Sequence, residues 1–213
     1  MTDFTSALFL GLHHPHHHLP SWSRLTLGTP ASLREPPEAR AVASTVALRQ
    51  ATGAGLLFRS TLHALLDLFS LVPAPGGIVL IDEAAYPIAQ WATLRCVERG
   101  IPVAAFHHRD HRHAAALIGR SGRRPVLVSD GWCGGCLQPA PLGELQAVAA
   151  AAGGLLIVDD SLAFGLVGEA PGVRAPLGRG GMGTLRWWGR GHGATTPADS
   201  SSVLSPPGSI CGD

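Results

Sequence analysis

The amino-acid sequence predicts an α/β fold, a mostly parallel sheet with helices on both faces. Two observations carry the prediction: short apolar runs alternate with segments whose apolar residues recur at helical spacing, and nearly every run ends at a carboxylate. Met1 to Pro37 mixes apolar scraps with His and Pro clusters and reads as an irregular lead-in. From Glu38 to Gln50, the spacing of Ala39, Val42, Ala43, Val46 and Ala47 predicts a helix. Ser60 and Thr61 occupy an N-cap, and Leu62, Leu65, Leu66 and Phe69 follow at i, i+3, i+4 and i+7, a second helix with a defined start. Pro73, Pro75, Gly76 and Gly77 break it, and Ile78 to Ile81 forms a buried strand leaving at Asp82 and Glu83.

The unit then repeats. Ile88, Trp91, Ala92 and Cys96 mark a helix stopped by Gly100, and Pro102 to Phe106 makes the next strand, with His107 to Asp110 at its exit. A short helix over Ala114 to Ile118 and a basic turn at Arg120 to Arg124 lead to a strand over Pro125 to Ser129, ending at Asp130. Leu142, Leu145, Val148, Ala149 and Ala152 carry another helix; Gly153 and Gly154 turn the chain into Leu155 to Val158, which ends at Asp159 and Asp160. Beyond Gly165 the periodicity decays into Gly and Arg, then into Ser, Pro, Thr and Gly from Thr195. Three regions follow: an irregular segment over 1–37, an α/β unit over 38–169, and a tail over 170–213 without expected order.

Composition narrows the function classes. With 213 residues, 46% hydrophobic and 15% charged, the chain can bury a core, and a net charge of +1 with scattered basic residues gives no field for nucleic acid or anionic lipid. The longest apolar run, Ala147 to Val158, stops at Asp159, short of the ~20 residues of a spanning helix. No signal peptide is read at the N-terminus, so no membrane association and a cytoplasmic location are expected. All 16 Lys+Arg residues are arginine. Without lysine, no side-chain amine exists to form a Schiff base.

In parallel sheets ligands bind beyond the carboxyl ends of the strands. Asp82, Glu83, Asp130, Asp159 and Asp160 lie along that edge together with the helix start at Ser60 and Thr61. One site is therefore proposed, with an anion seat at the helix start and carboxylates opposite a cationic group; the competing reading makes each carboxylate a cap of its turn. His13, His14, His16, His17 and His18 read as an unstructured cluster without a metal role. Cys133 and Cys136 have C-x-x-C spacing, but no second close pair completes a tetrahedral set; they read as incidental thiols, and no metal site is assigned. Trp187 and Trp188 beside arginines support no nucleic-acid role.

The segment LIVDDSLAFGLVGE, Leu156 to Glu169, closely resembles the strand-and-loop signature of the pyridoxal-phosphate-dependent α-oxoamine synthases, the group containing 8-amino-7-oxononanoate synthase. LLFRSTLHALLDLF resembles the family's phosphate-binding turn and helix, and VLIDEAAYPIAQWATLRCVERGIPVAAFHHRD its next strand, helix and strand. VLVSDGWCGGCLQPAPLGELQAVAAAAGG resembles the approach to the aspartate strand, and SALFLGL the N-terminal region. The resemblance implies part of the large domain of the fold type I aminotransferase group.

It also implies roles. Asp159 stands where an aspartate keeps the cofactor's pyridine nitrogen protonated, so the ring is an electron sink. Ser60 and Thr61 stand in the turn that holds the cofactor phosphate, and Tyr86 where a histidine stacks on the ring. Other positions depart: Leu162 replaces a second histidine and Gly134 a serine, both near the cofactor's phenolic oxygen, and Leu65 replaces an asparagine. The lysine is missing altogether: GTLRWWGR, Gly183 to Arg190, superficially offers Arg186 and Trp187 where serine and lysine belong, but the favoured reading makes GTLRWW a spacer, with the Ser/Pro-rich tail from Ala194 in place of the lysine strand through truncation or loss of coding register. The expectation is a truncated, inactive relative of enzymes that condense an amino acid with an acyl thioester. Such a chain would bind pyridoxal phosphate noncovalently at most; small-molecule substrates and a homodimer are implied. Two alternatives are a non-catalytic binding or scaffold protein of the same fold, and a magnesium enzyme using Asp82, Asp130 and Asp159 as oxygen ligands.

Overall fold

The computed structural model describes residues 33, 35–50, 52–164, 183–189 and 200–205. The elements are α1 (Pro37–Arg49), β1 (Ala54–Leu57), α2 (Thr61–Leu71), β2 (Gly77–Asp82), α3 (Pro87–Ala92), α4 (Leu94–Glu98), β3 (Val103–Phe106), α5 (His111–Ser121), β4 (Arg124–Asp130), α6 (Leu142–Ala151), β5 (Leu155–Asp159), β6 (Gly183–Gly189) and β7 (Ser200–Ser205). They build one seven-stranded sheet in the order β1-β7-β6-β5-β4-β2-β3. Strands β3, β2, β4 and β5 are mutually parallel, β1 pairs parallel with β7, and β6 runs antiparallel to both neighbours.

Helices cover both faces, as the alternation predicts. Successive strand residues point to opposite sides, so Val79, Ile81, Val126, Val128 and Ile157 meet Leu65 and Phe69 of α2, Ala89 and Ala92 of α3 and Cys96 of α4. Their neighbours Ile78, Leu80, Leu127, Leu156 and Val158 meet Ala114 of α5 and Leu145 and Ala149 of α6. All six residues of β2 are buried, which is why the run carries no polar alternation.

Helix ends follow local chemistry. Ser60 caps α2, its hydroxyl accepting from the His63 amide at 3.3 Å. Asp110 caps α5 by accepting from the Arg112 and His113 amides, both at 2.9 Å, and Gly122 ends it at φ 59, in the left-handed region that favours glycine. At the far end of α2, the Arg99 guanidinium donates to the carbonyls of Phe69 (2.7 Å) and Pro73 (3.0 Å). Gly154 lets β5 lie against β4, since a Cβ there would collide with the Pro125 carbonyl.

The structure departs from the sequence reading in four places. The helix through Ile88 and Cys96 is two short helices broken at Thr93, and Trp91 lies 64% exposed instead of in the core. The helix before the basic turn starts at His111 rather than at Ala114, because Asp110 caps it. β1 is a strand the periodicity does not indicate. Residues 183–189 and 200–205, read as lacking regular order, have strand backbones that join β1 to the rest of the sheet. The lead-in over 1–32 with its histidine cluster lies outside the described residues, as do 165–182 and 190–199.

Candidate functional site

β2 and β4 are neighbours, but the chain leaves β2 toward α3 on one face and β4 toward α6 on the other. That divergence opens a crevice at the carboxyl ends of the parallel strands, the usual ligand position in open α/β sheets. Asp82, Asp130 and Asp159 end β2, β4 and β5 there, with Asp130 opposite Asp159 in register. A pocket of about 10 Å³ between Asp82, Ala85, His108, Ser129, Asp130 and Cys133 marks the spot, room for about one water.

The three aspartates differ in what they hold. Asp82, 2% exposed, accepts from the Ala84 amide (2.9 Å), the Arg109 amide (3.0 Å) and His108 Nδ1 (2.8 Å). Asp130 accepts from the Tyr86 amide at 3.1 and 3.2 Å through its two oxygens. Burial, with help from the charges of Asp159 and Asp82, pushes the Asp130 carboxyl up to about 7. Asp159, 8% exposed, accepts from the amide of Ser161 (3.0 Å) and from its hydroxyl. Burial raises its carboxyl above the ordinary range, and among the described residues no cation is paired with it.

Ser60 and Thr61 stand at the N-terminus of α2, as expected, and the Ser60 hydroxyl also meets His63 Nδ1 at 2.7 Å. Tyr86 is 52% exposed at the start of α3, its backbone fixed by Asp130. Leu65 is fully buried in the core. Gly134 and Leu162 lie together: a Cβ on Gly134 would stand 3.2 Å from Leu162 Cδ1.

Beside Asp82 the structure assembles a group that the sequence reading missed. His108 Nε2 lies 3.3 Å from Cys136 Sγ, the Cys136 amide donates to Cys133 Sγ at 3.3 Å, and the ligand atoms of all three side chains lie within 4.8 Å of one another. The hydrogen bond to His108 lowers the Cys136 thiol to about 7, and the same contact, with Asp82, raises His108. Cys133 and Cys136 are thus not isolated thiols; the signal available beforehand was a histidine at a strand exit.

No family model matches the chain. The 8-amino-7-oxononanoate synthase of Methylobacterium radiotolerans is 33% identical over 141 residues, covering 62% of this chain and 34% of that protein. A putative 8-amino-7-oxononanoate synthase of Acidiphilium cryptum is 31% identical over 150 residues, covering 67% and 38%. Over this stretch the chain is a homologue of α-oxoamine synthases. It spans about a third of the length of these relatives. The fold agrees: serine palmitoyltransferase of Sphingomonas wittichii superposes with a TM-score of 0.58 at 19% identity, over 67% of this chain and 36% of that one. The S. paucimobilis serine palmitoyltransferase, solved with a PLP–myriocin aldimine, gives 0.53 at 22% identity, over 60% and 32%.

No described helix is long and apolar enough to cross a membrane.

Proposed function

We propose that the chain holds pyridoxal phosphate noncovalently at the carboxyl edge of β5 and β4, as the cofactor-holding portion of an α-oxoamine-synthase-type protein. The observation that carries this reading is Asp159, a buried carboxylate with no cationic partner among the described residues. Leaving such a group unpaired is costly; a protonated pyridine nitrogen offsets that cost and favours the charged form that burial disfavours. The N-terminus of α2 at Ser60 and Thr61 offers amides without intrahelical acceptors and a hydroxyl to a phosphate. Tyr86 supplies a ring to lie against the cofactor, on a backbone that Asp130 fixes. Bound there, the cofactor supplies an electron sink for a carbanion at a substrate's α-carbon. Asp130 stores or releases a proton near neutral pH beside it.

Condensation of an amino acid with an acyl thioester is the reaction class this site descends from. The chain itself has no side-chain amine to link the cofactor within the site or to move the α-proton, so we infer binding without turnover. Small-molecule ligands and a homodimer belong to the same reading. The test is equilibrium dialysis with pyridoxal phosphate, followed by borohydride and intact mass. Saturable binding that leaves the mass unchanged, and that weakens about tenfold or more in Asp159→Asn, is expected. No binding, or equal binding by the variant, overturns the reading.

A further inference from the structure

We propose that His108, Cys133 and Cys136 form a site for a borderline-soft divalent cation of the zinc class, its fourth position open to water or an exogenous donor. Two sulfurs and an imidazole are the donor set such a cation selects, and two thiolates balance its charge. The ligand atoms already lie within 4.8 Å of one another, against about 3.6–3.8 Å between donors around a tetrahedral zinc. Side-chain adjustment closes that difference.

The surroundings fix the ligands independently of any metal. Asp82 takes His108 Nδ1 at 2.8 Å, so the other ring nitrogen is the one aimed at Cys136. This carboxylate–histidine pairing is the support that metal-bound imidazoles use to hold tautomer and orientation. The cysteine loop is closed by the bonds Cys133 N–H to Gln138 O and Leu137 N–H to Cys133 O, both 3.0 Å, with Leu137 at φ 56. The Cys136 amide points at Cys133 Sγ, and Gly134 and Gly135 place no side chain between the sulfurs. A hard cation is not favoured, because it needs oxygens and those of Asp82 already accept from three donors.

The experiment titrates the reduced, chelator-stripped full chain with cobalt(II), then zinc. One cobalt per chain with a thiolate-to-metal charge-transfer band, displaced by zinc, is expected. The band falls about tenfold or more in affinity in Cys136→Ser, an exposed position whose fold circular dichroism checks, and likewise in His108→Gln. It persists in Cys96→Ser, in Cys211→Ser, the fourth cysteine of the sequence and outside the described residues, and in a chain with His13, His14, His16, His17 and His18 changed to Asn, since imidazoles alone give no such band. Absence of the band, or its survival in Cys136→Ser, overturns the proposal. Neither result depends on pyridoxal phosphate.

Discussion

Asp82 and Asp159 end parallel strands at the same edge of the same sheet, and both are buried, yet they are opposite kinds of residue. Asp82 is saturated: two backbone amides and an imidazole converge on it, and it organises the turn after β3. Among the described residues the Asp159 carboxylate accepts from its neighbour Ser161. A buried carboxylate surrounded by donors is part of the scaffold; one left without a cation is an invitation to a ligand.

The largest effect that sharpens this contrast is on stability. Asp82→Ala strands three donors, and we expect a loss of about 3 kcal/mol or more in urea unfolding. Asp159→Asn keeps the shape of a carboxyl whose charged form burial already disfavours, so it loses no more than about 1 kcal/mol relative to wild type. Equal losses at the two positions would erase the distinction.

Asp130, between them in the sheet, gives the next largest effect. Its folded carboxyl holds a proton up to about 7 against an ordinary 3.8. The stability it contributes is therefore complete at pH below its unfolded value, and is lost as pH rises through the window to about 7. Relative to wild type, Asp130→Asn gains on the order of 2 kcal/mol across that window. Denaturation midpoints at pH 4 and pH 8 check the sign. A smaller effect belongs to the cap: Ser60→Ala costs about 1 kcal/mol, read as a shift in thermal midpoint.

Much of this edge is legible in the sequence. Continuous runs such as Ile78 to Ile81 and Leu155 to Val158 are buried on both faces, so the strands and the carboxylates that end them stand out. β1 does not, because it is four residues long, contains Gly55, and is only half-buried. β6 and β7 draw their strand character from partners far along the chain, which Gly, Arg and Ser composition does not signal. Trp91 looks like a core residue by spacing, but the short helix buries Ala89 and Ala92 instead and leaves Trp91 exposed. The thiol pair looked incomplete because its third member, His108, lies at another strand's exit, joined only by the alignment of β3 and β4 on either side of β2.

Arg99 adds a mechanical consequence. Its two hydrogen bonds anchor the exit of α2, while Ser60 secures the entrance. The helix between is a braced rod of about 16 Å, packed along its length through Leu65 and Phe69. In the reading proposed above, an anion arriving at Ser60 and Thr61 would meet a preorganised seat, so the ordering entropy a loose loop would lose on binding is already spent in folding.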